Sequence, residues 1–209
     1  MLTVAPVRSK AAYHVFRVPF LFAIALAIAF GGGILSTLSA LNATVGFGAI
    51  KLGAWDAFPS AHTIDADPYA KSHRARAGAL LYGTAEALAF TASVDDTGEK
   101  LLGSCRYRLT GTTPPSRLWT LYTADAANRP LPIAAGLPGA YNSWTVLRKA
   151  DSSVTIDIAA NAQSGNWLAV PPAGSFKLVL TLLDTPTAGS SGVIDLGMPH
   201  ITRIGCGDA

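Results

Sequence analysis

The chain has 209 residues, half of them hydrophobic and only 14% charged, a composition that excludes a disordered tether and favours a well-buried core. Its formal net charge is +3, yet Arg8, Lys10 and Arg17 all precede a long apolar run, leaving 13 of the 16 Lys and Arg against 13 Asp and Glu. The chain beyond that run is formally neutral, so the net positive charge belongs to the N-terminal flank and is no sign of a nucleic-acid-binding domain.

From Val18 to Leu41 there is no charged residue. A helix needs roughly 20 apolar residues to cross a bilayer, whereas the apolar core of a signal peptide runs about 7–15. The run is longer than that, and Thr37 to Ala43 offers only poor cleavage matches, so it reads as an uncleaved signal-anchor. Pro19 is expected in the first helical turn, where its missing N–H costs little. Gly31, Gly32 and Gly33 weaken the helix or mark close packing against another one. Positive charge lies on the N-terminal side and the first charge afterwards is Lys51. The positive-inside bias therefore expects a single pass through the inner membrane, with the N-terminus in the cytoplasm and the rest in the periplasm. The expected division is a tail (1–17), an anchor (18–41), a connector (42–66) and a domain (67–209).

The connector is rich in Gly and Ala, and its Trp55 suits either a bilayer interface or the domain's core. Asp67 and Pro68 open a short amphipathic helix expected from Tyr69 to about Leu81, with Gly83 placed to end it. Its Lys71, His73, Arg74 and Arg76 read as a solvated face rather than a lipid-headgroup patch.

From Glu86 the period changes to two. Leu88, Phe90 and Ala92 alternate with Ala89 and Thr91, and Asp95 to Gly98 makes a turn. Cys105, Tyr107 and Leu109 share one face of the next strand. Leu118 to Tyr122, Ser143 to Leu147 and Val154 to Ile158 come next as strands. Phe176 to Leu183, apolar on both faces, reads as a central strand, and Ile201 to Ile204 closes the chain. Many short strands between Gly, Pro and Asp turns predict a mainly β, jelly-roll-like β-sandwich behind one transmembrane helix.

Cys105 and Cys206 are the only cysteines. In an exported domain they are expected to form one disulfide, the alternative being two buried thiols. Cys105 alternates with Tyr107 and Leu109 and should face inward. Cys206 is taken to share the face of Ile204, two residues earlier, which would bring the two within the roughly 4.4–6.8 Å Cα separation a disulfide needs.

These residues resemble the bacterial domain-of-unknown-function family 1214. The resemblance rests on Asp67-Pro-Tyr69 with Ala75 to Gly78, Cys105-Arg-Tyr107, and Pro114-x-x-Arg117-x-Trp119-Thr-Leu-Tyr122. It continues through Gly165-Asn-Trp-Leu168, Leu178-Val-Leu180 with Asp184-Thr-Pro186, and Pro199-x-Ile-x-Arg203-x-Gly-Cys206. The chain departs from the family pattern after Tyr122, where relatives carry a Gly, and at Asp151-Ser-Ser153, which replaces an Asp-Gly turn. The resemblance implies a jelly-roll sandwich in a short membrane-anchored form. Its two-domain relatives imply, as a partner, a separate protein of the 1254 family, and it supplies no catalytic residues.

No G-x-S-x-G, H-E-x-x-H, phosphate-loop, dinucleotide or C-x-x-C pattern occurs, so no cofactor is expected and the reading leans away from an enzyme. His62, Asp65 and Asp67 read as caps and turns rather than metal ligands, and Asp95, Asp96 and Glu99 as a hairpin turn rather than a calcium site. Arg117, Trp119, Asn166 and Trp167 remain as an aromatic–polar set of the kind that lines small-ligand pockets, set against a plain core role for Trp119 and a loop role for Asn166. The function expected is binding of a cell-envelope component or a partner protein. The alternative is an envelope hydrolase or lyase acting on a glycan or lipid.

Overall fold

The computed structural model describes residues 12–43, 50–58, 66, 68–77, 86–186 and 197–207, in two compact units that divide between Gly46 and Phe47. The first unit is a helix, α1 (Ala12–Ala43). Its stretch Arg17–Ser39, 23 residues with mean hydropathy 2.3, is long and apolar enough to cross a membrane, and none of it is buried in protein. Pro19 lies inside α1 rather than in its first turn, because the helix extends upstream through Tyr13 to Arg17. There the ring removes one main-chain hydrogen bond and crowds the carbonyl four residues earlier. A Cβ on Gly31, Gly32 or Gly33 would meet nothing within 4 Å. The Ser36 and Thr37 hydroxyls both donate to the Gly33 carbonyl, at 3.0 and 2.9 Å, so these polar side chains are satisfied inside the helix.

The second unit holds β1 (Ile50–Leu52), β2 (Trp55–Ala57), α2 (Pro68–Ala77), β3 (Ala87–Ala92), β4 (Cys105–Gly111) and β5 (Leu118–Ala124). Then come β6 (Ala140–Asn142), β7 (Val154–Ala159), β8 (Trp167–Ala169), β9 (Lys177–Leu183) and β10 (His200–Cys206). One sheet has the order β1-β2-β3-β9-β5-β6 and the other β10-β4-β7-β8. All pairs are antiparallel except β7 with β8. A single core joins the sheets: Trp55, Phe90, Trp119, Leu121, Leu178, Leu180 and Leu182 from one, Tyr107, Leu109, Ile156, Ile158, Leu168 and Ile201 from the other. The chain is therefore a β-sandwich preceded by an apolar helix.

β9 lies between β3 and β5, as its two-sided apolar pattern demands: Leu178, Leu180 and Leu182 enter the core while Val179 is buried on the opposite face. Three turns share one device, an aspartate whose carboxylate accepts main-chain N–H groups just ahead of it. Asp95 takes those of Thr97 and Glu99, Asp125 those of Ala127 and Arg129, and Asp151 that of Ser153. Where relatives carry glycine, the left-handed residues are Asn128 (φ 61°) and Ser152 (φ 64°), not Asp151.

Several expectations are corrected. Ser143 to Leu147 is a turn and the strand is β6, three residues upstream. The Asn142 carboxamide accepts the Trp144 and Thr145 N–H groups and ends the strand there. Residues 50–57, read as connector, form a hairpin on the sheet edge. Its Trp55 is a core residue, and the indole N–H donates to the Pro199 carbonyl at 2.7 Å. The helix α2 forms, but its ten residues show no apolar stripe at helical spacing, so it is not amphipathic. Asp67 and Gly83, its expected ends, lie outside the described residues.

β10 carries a bulge at Ile204. Arg203 pairs with Tyr107, yet Gly205 pairs with Arg106 and Cys206 with Cys105. One extra residue changes the parity of the strand. Cys206 therefore falls in phase with Ile201 and Arg203 rather than with Ile204, and it meets Cys105 directly across the ladder. The disulfide Cys105–Cys206 is formed, with Cα atoms 3.9 Å apart, closer than the expected range because the two residues are directly opposed. Removing it by the double change Cys105→Ser and Cys206→Ser is expected to cost about 2–4 kcal/mol, since the bond closes a loop spanning almost half the chain. Thermal melts with and without reductant check this, and coincident melts would refute it.

Candidate functional site

The outer face of the four-stranded sheet is built by strict register. Trp167 on β8 pairs with Asp157 on β7, Asp157 with Arg108 on β4, and Arg108 with Thr202 on β10, one row across all four strands. Arg108 clasps Asp157 through Nε to Oδ1 at 2.8 Å and Nη2 to Oδ2 at 3.3 Å. That hydrogen bond and charge hold the guanidinium above its ordinary value. The Trp167 indole reaches from β8 onto β7 and donates to the Ala159 carbonyl at 2.9 Å.

At the end of this face, beside the disulfide, is a half-open depression of about 180 Å³. Gly205, Ala159 and Ala160 leave it roomy, and Arg106, Gln163 and Asn161 give it polar walls. Arg106 donates from Nη1 to the Gln163 Oε1 at 3.3 Å. A second, shallower furrow of about 550 Å³ runs along Pro130, Leu131, Ile133 and Leu137 and is apolar, with little to orient a ligand.

A third feature is the loop after β6. Trp144 is 82% exposed and Leu147 68% exposed, the former the most exposed large apolar side chain among the described residues. The loop is nevertheless braced from both sides. Asn142 holds its start through the two N–H groups it accepts, and the Thr145 hydroxyl accepts the Asn142 N–H at 3.1 Å. Asn166 holds its end: Oδ1 accepts the Leu147 N–H, while Nδ2 donates to the Leu147 and Thr155 carbonyls, all within 2.9 Å. Arg148 lies with its guanidinium 5.9 Å from the Trp119 ring centroid and donates to the Ser143 carbonyl at 3.4 Å.

The set expected to line a pocket is dispersed into structural roles. Arg117 is exposed and sits 3.5 Å from the Asp184 carboxylate. Trp119 fills the core, Asn166 is buried and consumed by the main chain, and Trp167 is half-buried against β7. None of the four lines either depression. Sequence reasoning missed Arg106, Gln163 and Gly205, the last set beside Arg106 by the bulge, and it took Trp144 for a strand residue.

A family model described as "Protein of unknown function (DUF1214)" matches residues 86–187. That segment belongs to the family. The DUF1214 segment runs from the start of β3 past the end of β9 and contains Arg106 and Trp144, whereas α1, β1, β2, α2 and β10 lie outside it. The crystal structure of the VPA0106 protein from Vibrio parahaemolyticus is similar in fold, with a TM-score of 0.54 and 23% identity over 68% of this chain. This chain spans 36% of that protein's length. An uncharacterized protein from Burkholderia cenocepacia aligns at 21% identity over 88% of this chain and 44% of its own, with a TM-score of 0.43. No curated protein matches the chain.

Among the described residues, the carboxylates with the donor chemistry of a cation site do not converge. Asp96 Oδ2 is held by His200 Nδ1 and by the Ile201 N–H, both at 3.1 Å. Asp95 is buried, its Oδ1 taken by Thr97 and Glu99, its Oδ2 facing Arg203 Nη2 at 3.0 Å in a charge contact without hydrogen-bond alignment. His62, Asp65 and Asp67 lie outside the described residues. Burial alone would raise the Asp95 carboxyl, but the Thr97 hydroxyl, two main-chain N–H groups and the Arg203 charge outweigh it and hold the group below its ordinary value. A carboxyl depressed on folding adds stability above its unfolded value of about 3.9, and that stability is lost as pH falls through the lower folded value. Urea unfolding from pH 7 to pH 3 should therefore show a steeper acid loss for the wild type than for Asp95→Asn; parallel curves would refute the assignment.

Proposed function

We propose that the protein is a membrane-anchored, exported binding module whose contact surface is the Trp144 loop. One observation carries this reading: a large aromatic ring is held almost wholly in solvent by a loop that two asparagine side chains brace. Tryptophan and arginine, here Trp144 with Arg148 in the same loop, are residue types enriched in interface hot spots. Bracing lowers the ordering cost of association.

The anchor is α1, held in the inner membrane with its basic flank in the cytoplasm and the sandwich in the periplasm, a compartment suited to the Cys105–Cys206 disulfide. The partner favoured by resemblance to two-domain relatives is a separate protein of the 1254 family. Co-purification from mildly solubilised membranes is expected to recover it. The double change Trp144→Ala and Leu147→Ala should then reduce recovery at least roughly tenfold without moving the melting temperature. Extraction as a clean monomer, or full recovery with the double variant, would overturn the reading.

Orientation has its own test. Alkaline phosphatase fused after Ala209 is expected to be active, and activity only from a cytoplasmic reporter at that position would reverse the topology.

A further inference from the structure

We infer that the depression beside the disulfide is a binding site for a single carboxylate group at the end of a larger ligand. The decisive contrast is among the arginines of the sandwich. Arg108 faces Asp157, Arg117 faces Asp184, Arg129 faces Asp125 and Arg203 faces Asp95, while Arg148 lies over the Trp119 ring. Among the described residues, Arg106 faces neither a carboxylate nor a ring; it is steadied by the neutral Gln163 carboxamide. Among the described residues no Asp or Glu lines the depression, and Arg106 is the charged side chain in its wall.

Space is provided where the fork points. Gly205 is the register partner of Arg106, and a Cβ placed on it would meet nothing within 4 Å. Any larger residue there would stand in the depression. Gly103, on the other side, is needed for a different reason: a Cβ there would lie 2.0 Å from the Pro171 carbonyl oxygen. The floor is thus held close by one glycine and left open by another.

The guanidinium fork matches a carboxylate in two parallel hydrogen bonds. The Asn161 and Gln163 carboxamides and the Ser104 hydroxyl can serve the atoms next to it. About 180 Å³ is below the roughly 300–1,000 Å³ of sites that enclose a whole small molecule. Such a depression takes one terminus, and the rest of the ligand lies across the outer sheet face toward Trp167.

The site is separate from the Trp144 loop, so the inference goes beyond the proposed binding role and is tested apart from it. The probe is N-acetylalanine, followed by saturation-transfer NMR on the full chain in lipid nanodiscs, with N-acetylalaninamide as the uncharged control. Saturable binding of the acid is expected, at least roughly tenfold stronger than of the amide, because the charge-assisted bonds are lost with the charge. Arg106→Gln should weaken it by a similar factor. Gly205→Leu should do so while Arg106 stays in place and the melting temperature is unchanged. Arg117→Gln and Trp144→Ala should leave it unaltered, the latter separating this site from the loop. Absence of saturable binding, equal binding of acid and amide, or unchanged binding in either Arg106→Gln or Gly205→Leu overturns the inference.

Discussion

The end of the sandwich depends on one extra residue in its last strand. Without the bulge at Ile204, the strict alternation of β10 would keep Ile201, Arg203 and Gly205 on the inner face and turn Cys206 away from Cys105. With it, Arg203 still faces inward, its guanidinium 5.7 Å from the Tyr107 ring centroid and against buried Asp95. One residue later the strand has changed sides: Cys206 meets Cys105, and Gly205 stands beside Arg106 on the outer face. Disulfide and depression are thus consequences of a single register shift, which leaves the buried ion pair before it in place. The bulge survives because the covalent bond beyond it and the ladder before it fix the chain on both sides.

The same ladder explains why charge appears inside this sheet at all. Asp157 is on the outer face of β7 and yet buried, a placement that costs free energy unless the group is paired. Arg108 stands opposite it and supplies two aligned donors, while Trp167 from the other neighbour excludes water. A pair in this setting gives register as much as stability, since a slip by one residue would leave the carboxylate buried without its donor. Asn166 acts in the same way for the loop and the β7–β8 corner, with every polar atom of its side chain taken by main chain.

Local pattern carried the strands whose faces differ in polarity. Leu88, Phe90 and Ala92 on β3 and Cys105, Tyr107 and Leu109 on β4 read inward in the sequence and are buried, and the two-sided run of β9 is central. What it could not carry was anything fixed by distant partners. Trp55 in the core gives its N–H to the carbonyl of Pro199, 144 residues away. Three-residue strands such as β1, β6 and β8 are too short to show a period, and the Asn142 cap that turns Ser143 to Leu147 away from the sheet uses a residue type found in any loop. Of the aromatic–polar set, the residue types were right for a pocket but the spacing was silent on direction. The DUF1214 motifs around Arg117 and Asp184 mark a structural join instead: Thr185 donates to the Pro115 carbonyl at 2.7 Å, and the Arg117 N–H reaches the Leu183 carbonyl.

The four tryptophans make the functional argument by comparison. Trp55 and Trp119 are in the core, and Trp167 is spread over β7 with its N–H bonded. Each contributes apolar burial worth a few kcal/mol, the usual return on so large a side chain. Trp144 contributes none of this, and yet its main chain is braced by three separate side chains: Asn142 before it, Asn166 behind it, and Arg148 bonded back to Ser143. On the proposed binding reading, that bracing lowers the ordering cost of association for whatever covers the ring.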